Sequence, residues 1–305
     1  MHKKVLLLTT TRRGQFTGTA HEQNLLRACE ALANENTRYF AAAVDDISIQ
    51  VKDGVVAIQD LRNGYDLTAY ALVHFLNVHF ARDHFMAVAL YLNHHKITWV
   101  CESDVQGTAF SKISQMVLFA LGDIPVPDTL AVWDNAGHLE AAQKFVQPPF
   151  IMKSNDGTKG LNNHLVKNWD EYTAILKDGE RRAYILQPFL PNDGDFRFLY
   201  LGDEQLAFHR RAASDDTHLN NSTQGGQGTM IPLADCNPEH LELARRTMEV
   251  FGREIGGVDI LVDKQTGKPY VLEVNHTPAI FSGLFQREKI AKYAAFVQAK
   301  IKDVS

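Results

Sequence analysis

The sequence predicts an α/β protein that turns α+β in its C-terminal half. Three observations carry the prediction: short apolar strand signals alternate with helical spacing over about the first hundred residues; a long helical pattern later precedes two strand signals, GVDILVD and PYVLEVN; and no repeat, low-complexity tract or long linker interrupts the chain.

Val5 to Leu8 read as a buried strand, followed by a polar turn and a helical pattern through Leu25, Leu26, Ala28 and Leu32. ISIQVK and VVAIQD flank the Asp53-Gly54 pair, a hairpin signal that predicts an edge insertion. YALVHFL reads as a strand, HFMAVALYLNHH as a helix and ITWVCE as a further strand, which completes an open parallel-sheet unit. From Ser111 the pattern is helical through Ile113, Met116, Val117 and Leu121, and it stops at Gly122 before Pro125 and Pro127. PPFIMK is a strand that runs into the loop SNDGTKG, AYILQPFL is another, and RFLYLGDEQLAFHRRA reads as two strands around a Gly-Asp turn. One helix is expected over Pro238 to Ile255. The expected units are 1–105, 106–186 and 187–305.

The 305 residues, 45% hydrophobic and 22% charged, suffice for two or three packed units. A net charge of −5 supplies no general positive field, which argues against a dedicated nucleic-acid binder. Cys29, Cys101 and Cys236 lack paired spacing and read as reduced thiols. The opening MHKKVLLLTTTRRG imitates a secretory signal, but its apolar run ends at Thr9 to Thr11 and no small-residue cleavage site follows. No apolar stretch nears the ~20 residues that span a bilayer. A soluble, cytoplasmic protein without membrane partners is expected.

The segment GVDILVDKQTGKPYVLEVN places acidic groups where strand alternation asks for apolar ones. With Thr266 near the centre of the turn, antiparallel pairing sets Asp259 opposite Glu273 and Gly257 opposite Asn275, with Val258, Ile260, Leu272 and Val274 on the other face. Opposed carboxylates repel unless a cation or shared proton lies between them. With the Asn275 amide oxygen they form a hard-oxygen set suited to Mg²⁺, and Gly257 leaves room for a nucleotide. A plain solvated face is the alternative. Lys153 ends the strand PFIM at the edge of the sheet, beside a loop whose Gly157 and Gly160 can turn backbone N–H groups toward an anion, with Lys159 adding charge. Neither a Walker A spacing nor a GxGxxG fingerprint occurs, and a solvated lysine is the plain reading of this loop taken alone.

In order, these motifs resemble the ATP-grasp superfamily, and most closely its RimK-like branch of carboxylate-amine ligases, from about Phe110 to Gly283. The resemblance implies an ATP-grasp fold, in which two α+β subdomains following the N-terminal α/β domain clamp ATP between them. FSKISQMVLFALGDIPVPDT resembles the family's lysine-bearing helix and implies that Lys112 contacts phosphate. FIMKSNDGTKG implies Lys153 as the second nucleotide lysine, with Asp156, Gly157, Thr158 and Gly160 in the loop over the phosphates. ILQPFL is similar to the hinge that holds adenine, through the Gln187 carbonyl and the Phe189 amide. GDFRFLYLGDEQLAFHRRA implies a nucleotide-side place for Asp195 and phosphate or substrate roles for Arg197, Arg210 and Arg211. Asn221, before QGGQG, falls near the reacting centre, and Asp259, Glu273 and Asn275 are implied Mg²⁺ ligands.

Two departures stand out. Pro188 replaces the usual acidic hinge residue and removes one N–H, and NHTPA replaces Asn-x-Ser-Pro-Gly, which puts His276 and Ala279 near the acceptor side.

The implied activity joins a carboxylate to an amine through an acyl phosphate, with Arg211, Arg197 and Asn221 as catalytic residues and ATP with Mg²⁺ or Mn²⁺ as cofactors. Its partners would be small-molecule or peptide acids and amines, and a homo-oligomer is compatible with the family. A kinase or carboxylase of the superfamily and a regulatory ATP binder are the alternatives. His74, His79, His84, His94 and His95 lack metal-ligand spacing, and Phe75, Phe80 and Phe85 read as core.

Overall fold

The computed structural model describes residues 2–10, 16–52, 55–76, 81–100, 111–132, 136–155, 162–178, 183–211 and 227–302. It opens with β1 (Lys3–Thr9), α1 (Ala20–Leu32), β2 (Thr37–Ala43), β3 (Ile47–Lys52), β4 (Val55–Asp60), β5 (Tyr65–Asp66), β6 (Leu72–Phe75), α2 (Arg82–His94) and β7 (Thr98–Val100). Strands β2-β1-β6-β7 form a wholly parallel sheet. Side chains alternate across β1: Val5 and Leu7 join one core with Leu25 of α1, and Leu6 and Leu8 join another with Phe85, Val88 and Leu92 of α2. The expected hairpin is β3-β4, and with β5 it makes a separate three-stranded sheet. Asp53 and Gly54 at its turn lie outside the described residues.

The middle of the chain is α3 (Lys112–Leu121), β8 (Leu130–Val132), α4 (Ala136–Phe145), β9 (Phe150–Ser154), β10 (Asn163–Val166), α5 (Trp169–Asp178) and β11 (Tyr184–Pro188). The antiparallel sheet β10-β9-β11-β8 packs Phe150, Met152 and Leu186 against Ala142 of α4 and Tyr172 of α5. The strand that carries Lys153 is interior to its sheet, with β10 and β11 on either side, and Lys153 stands one residue before the strand's end, as expected.

The remainder is β12 (Asp195–Leu201), β13 (Glu204–Arg211), β14 (Gln227–Ile231), α6 (Pro238–Phe251), β15 (Ile255–Val262), β16 (Pro269–Asn275) and α7 (Gln286–Lys302). These strands form the antiparallel sheet β14-β13-β12-β15-β16. One of its faces packs Phe198, Val258, Ile260 and Val274 against Met248 of α6 and against Met116 and Phe119 of α3. α7 buries Tyr293, Phe296 and Val297 in the core shared with β1 and α1, so it joins the first sheet to the last. Among the described residues no helix is long and apolar enough to cross a membrane.

Two expectations need correction. The helix from Pro238 ends at Phe251, four residues early, because Gly252 adopts φ 70° and returns its N–H to the Met248 carbonyl, a left-handed cap that glycine takes without a Cβ clash. In the β15-β16 hairpin the register shifts after Asp259, so Ile260 faces Val271 and not Leu272. A residue inserted opposite a single partner reverses which neighbour points inward. Val271 is accordingly buried in the core, and Leu272 is only half-buried.

Candidate active site

Several of the candidate residues lie on the last two antiparallel sheets, and α3 is the bridge between these. Ser111 caps the helix by accepting from the Ser114 N–H at 3.2 Å. The free N–H groups of its first turn are then taken up by the end of β9: the Ile113 N–H donates to Asn155 Oδ1 at 2.9 Å, and the Lys112 N–H to the Asn155 carbonyl at 3.3 Å. One turn on, the buried Gln115 grips β16. Its Nε2 donates to the Val274 carbonyl at 3.0 Å and its Oε1 accepts from the Val274 N–H at 2.8 Å. Lys112 is thereby held with Nζ 3.9 Å from Glu273 Oε2. Lys153 stands on β9 opposite Asn163 and Ile185, and burial pushes its ammonium down to about 8, against the pull of the Glu273 charge.

The hairpin brings its oxygens together in the expected register, with Asp259 paired to Glu273 and Gly257 to Asn275. Long-range strand order adds the counter-charges. β12 lies beside β15 with Arg197 opposite Asp259, and its guanidinium grips that carboxylate through Nε and Nη2, both at 2.7 Å. On the next strand Arg210 binds Asp195 at 2.7 and 2.6 Å and reaches Asp259 Oδ2 at 2.9 Å. The like-charge repulsion read from the hairpin is thus offset by two arginines on Asp259 and by Lys112 near Glu273. Burial works to raise the Asp259 pKa, but the Arg197 and Arg210 charges outweigh it and hold the carboxyl below its usual range. For Asp195 burial prevails over Arg210, and the shift is upward.

Asp259, Glu273 and Asn275 are donors that could hold a magnesium ion: two carboxylates directly across the sheet and an amide on the same face, with the Asp259 oxygens shared with Arg197 and Arg210. Asn275 turns its Nδ2 toward Asp259 Oδ2 and Glu273 Oε1, both at 3.2 Å, so its oxygen faces a cation only after the amide rotates. Among the described residues no three His, Cys, Asp or Glu side chains gather into a metal cluster, so the carboxylate pair with Asn275 is the donor set to weigh. A Cβ built on Gly257 would touch Arg197 Nε at 3.5 Å and Pro278 Cβ at 3.6 Å. The room that this glycine leaves is lined by Arg197 and Pro278.

At the hinge, the buried Gln187 donates from its side chain to Thr129 Oγ1 at 2.9 Å, and Phe189 follows the last residue of β11. Arg211 closes β13 opposite Gln227. The Arg211 side chain, together with Asp156, Gly157, Thr158, Gly160 and Asn221, lies outside the described residues.

Sequence reasoning overlooked the residues that position the others. Gln115 left a signal, an amide beside Met116 and Phe119 on the apolar face of the helix. Gly194 left another, next to Asp195: its φ is 115°, and a Cβ there would fall 2.0 Å from the Arg210 carbonyl oxygen, so only glycine admits the approach that pairs Arg210 with Asp195.

A family model described as the RimK-like ATP-grasp domain matches residues 109–295. Among curated relatives, a probable alpha-L-glutamate ligase of Rhodopirellula baltica is 28% identical over 173 residues, covering 55% of this chain and 42% of that protein. One of the same description from Xanthomonas campestris pv. campestris is 31% identical over 137 residues, covering 44% and 45%. The chain thus spans under half the length of these two relatives. Among solved structures, D-alanyl-alanine synthetase A from Vibrio cholerae superposes with a TM-score of 0.70 at 13% identity, covering 99% of this chain and 98% of that one. A RimK domain ATP-grasp protein from Sphaerobacter thermophilus gives 0.61 at 19% identity, covering 96% and 98%. These likenesses extend the ATP-grasp fold over the whole described chain, including the parallel sheet that precedes the matched domain. With that model covering more than half of its residues, the chain belongs to the RimK-like ATP-grasp family.

Proposed function

We propose that this chain is an ATP-dependent carboxylate-amine ligase that forms an amide or peptide bond through an acyl phosphate and releases ADP and phosphate. The observation that carries the reading is the bridge made by α3, which sets Lys112 3.9 Å from Glu273 on the oxygen-bearing face while its first turn is tied to the end of the Lys153 strand. Two lysines and two opposed carboxylates around one cleft suit a metal-bound polyphosphate. The names of the curated relatives agree with such a reaction.

Mg-ATP would supply the phosphoryl group that activates the acid. Lys112 and Lys153 would hold its phosphates, Asp259, Glu273 and Asn275 its metal, and the backbone of Gln187 and Phe189 its adenine. Asp195 would keep Arg210 in place. Arg197 and Arg211 would stabilise the oxyanion that develops when the amine attacks the acyl carbon. Asn221 and the loop with Asp156, Gly157, Thr158 and Gly160 would close over the intermediate and exclude water. No serine, cysteine or histidine nucleophile motif stands in the sequence, which leaves activation to the substrate's own carboxylate.

The test is a matrix of acids and amines read by ADP release, beginning with L-glutamate as the amine, with product mass to identify the bond. Expected are ADP and phosphate with a productive pair, and a hydroxamate when hydroxylamine replaces the amine. Formation of AMP and pyrophosphate would overturn the reading.

A further inference from the structure

Beside the charged row lies a cavity of about 90 Å³. One water needs roughly 10–15 Å³ on the same measure, so the cavity has room for a carboxylate and several carbons. Its polar wall is cationic, with Arg197, Arg210 and Lys289, and its apolar wall includes the stacked rings of Phe208 and Phe285, whose centroids are 5.2 Å apart.

Lys289 is the unusual member. It comes from α7 and not from a strand, it is only 7% exposed, and its Nζ donates to the Ala279 carbonyl and, at 2.5 Å, to the Ser282 carbonyl. Those carbonyls belong to the segment after Asn275 that carries Pro278 and walls the cavity. An ammonium has three N–H groups, so one remains for the cavity.

Charge bookkeeping points the same way. Arg210 is matched by Asp195 and Asp259, and Arg197 is matched by Asp259, which leaves three cations against two carboxylates. Lys289 is the cation whose hydrogen-bond partners are neutral carbonyls, with the Glu288 charge acting on it more weakly than burial and Arg197. Burial lowers its pKa to about 8, and the nearby Arg197 charge pushes the same way. A buried cation so placed is stabilised by an anion entering the cavity.

We propose that Lys289 is a specificity-determining residue that binds a substrate carboxylate which does not react and is kept through the reaction. A carboxylate held by this ammonium is not free to attack phosphorus beside Lys112 and Lys153, so the bound group is a second one. It belongs either to the amine, as the α-carboxylate of an amino acid, or to the acid, as the far end of a dicarboxylate. This inference rests on the ligase reading for the reaction, but not for the binding.

Two variants of the full chain test it: Lys289→Met keeps the apolar stem without the charge, and Lys289→Arg keeps the charge. At saturating Mg-ATP, KM is compared for L-glutamate and its α-amide as amines, and for glutarate and its monoamide as acids. Lys289→Met should raise KM at least about tenfold for one carboxylate probe, the scale of a charged hydrogen bond. The KM for the matching amide and for ATP should stay within about twofold, and Lys289→Arg should recover most of the loss. The probe that responds names the source of the carboxylate. Equal shifts for acid and amide would assign Lys289 to holding its loop alone and overturn the proposal, as would no shift in either.

Calorimetry with L-glutamate and with glutarate in the absence of turnover separates this failure from that of the ligase reading. Binding to the wild type that weakens at least about tenfold in Lys289→Met supports the pocket even if no pair releases ADP. No binding of either probe to the wild type, or equal binding to both proteins, overturns it.

Discussion

In the parallel sheet, β1 sends alternate side chains into two apolar cores and has little to do but pack. In the sheet of β12 to β16 one face is just as apolar, yet the other buries Asp195, Arg210 and Asp259 to within 7% exposure. The first arrangement is stable because apolar area leaves water. The second holds ions away from water, which is unfavourable unless each is paired, and a protein that needed only stability would replace such a network with packed hydrocarbon. The contrast agrees with the proposed function: charge buried where apolar packing would serve as well suits a face that handles a ligand.

The contrast breaks first at Asp259. Asp259→Ala strands Arg197 and takes from Arg210 one of its two carboxylates, and it should destabilise the protein by about 3–5 kcal/mol, as much as a buried ion loses with its partner. Leu7→Ala in the parallel sheet should cost a similar amount, about 2–5 kcal/mol, through a cavity. Denaturant melts should make the two look alike, while calorimetry on the folded proteins should separate them, with Mg-ATP affinity lost in the first and kept in the second. Equal affinities would return Asp259 to a structural role.

Next in size is a buried titratable group of the parallel sheet, His74. It is 2% exposed, bonded to the Tyr293 hydroxyl at 2.8 Å, and burial lowers its pKa to about 3. The unfolded chain takes up that proton near 6.5, before the folded protein does, so the stability tied to the neutral ring is complete above 6.5 and declines as the pH falls toward 3. The expected slope is up to about 1.4 kcal/mol per pH unit, and His74→Gln should abolish it. An unchanged slope in the variant would show that other groups carry the acid sensitivity.

The smallest change in stability is expected at Glu273, whose side chain is 34% exposed and stands 3.9 Å from Lys112. Glu273→Gln should shift the melt by less than about 1 kcal/mol, the value of a partly solvated ion pair. It should nevertheless raise the Mg²⁺ concentration needed for turnover, read by titrating the metal at fixed ATP. Wild-type metal dependence would remove Glu273 from the ligand set.

What was legible in the chain follows distance along it. The hairpin register could be computed from a turn centred at Thr266 because its strands are neighbours in sequence, and Asp259 does face Glu273. The shift just beyond it was not legible, since nothing in VLEV distinguishes an inserted residue from a regular one, and Leu272 was assigned the place that Val271 fills. The pairing of Arg197 with Asp259 was out of reach for another reason: β12 lies beside β15 through a sheet order that no local spacing encodes. Strands β2, β5, β10 and β14 and helices α4, α5 and α7 went unread, and with α7 went Lys289, which enters the cavity wall from the far end of the chain.

The two anchors of α3 differ in strength, and the difference gives the cleft a preferred seam. Gln115 is buried with both amide atoms engaged on β16, whereas Asn155 holds the helix start through one side-chain bond and one longer backbone bond. A rotation that parts the two sheets therefore breaks at Asn155, and Lys112 departs with the acidic strand while Lys153 stays behind. Their mutual repulsion acts to lower the Lys153 pKa, but the attraction of Glu273, Asp195 and Asp259, which travel with Lys112, is the larger and draws the seam closed. An anion lodged between the two lysines would add to that attraction, so polyphosphate would latch a seam that charge already favours closed.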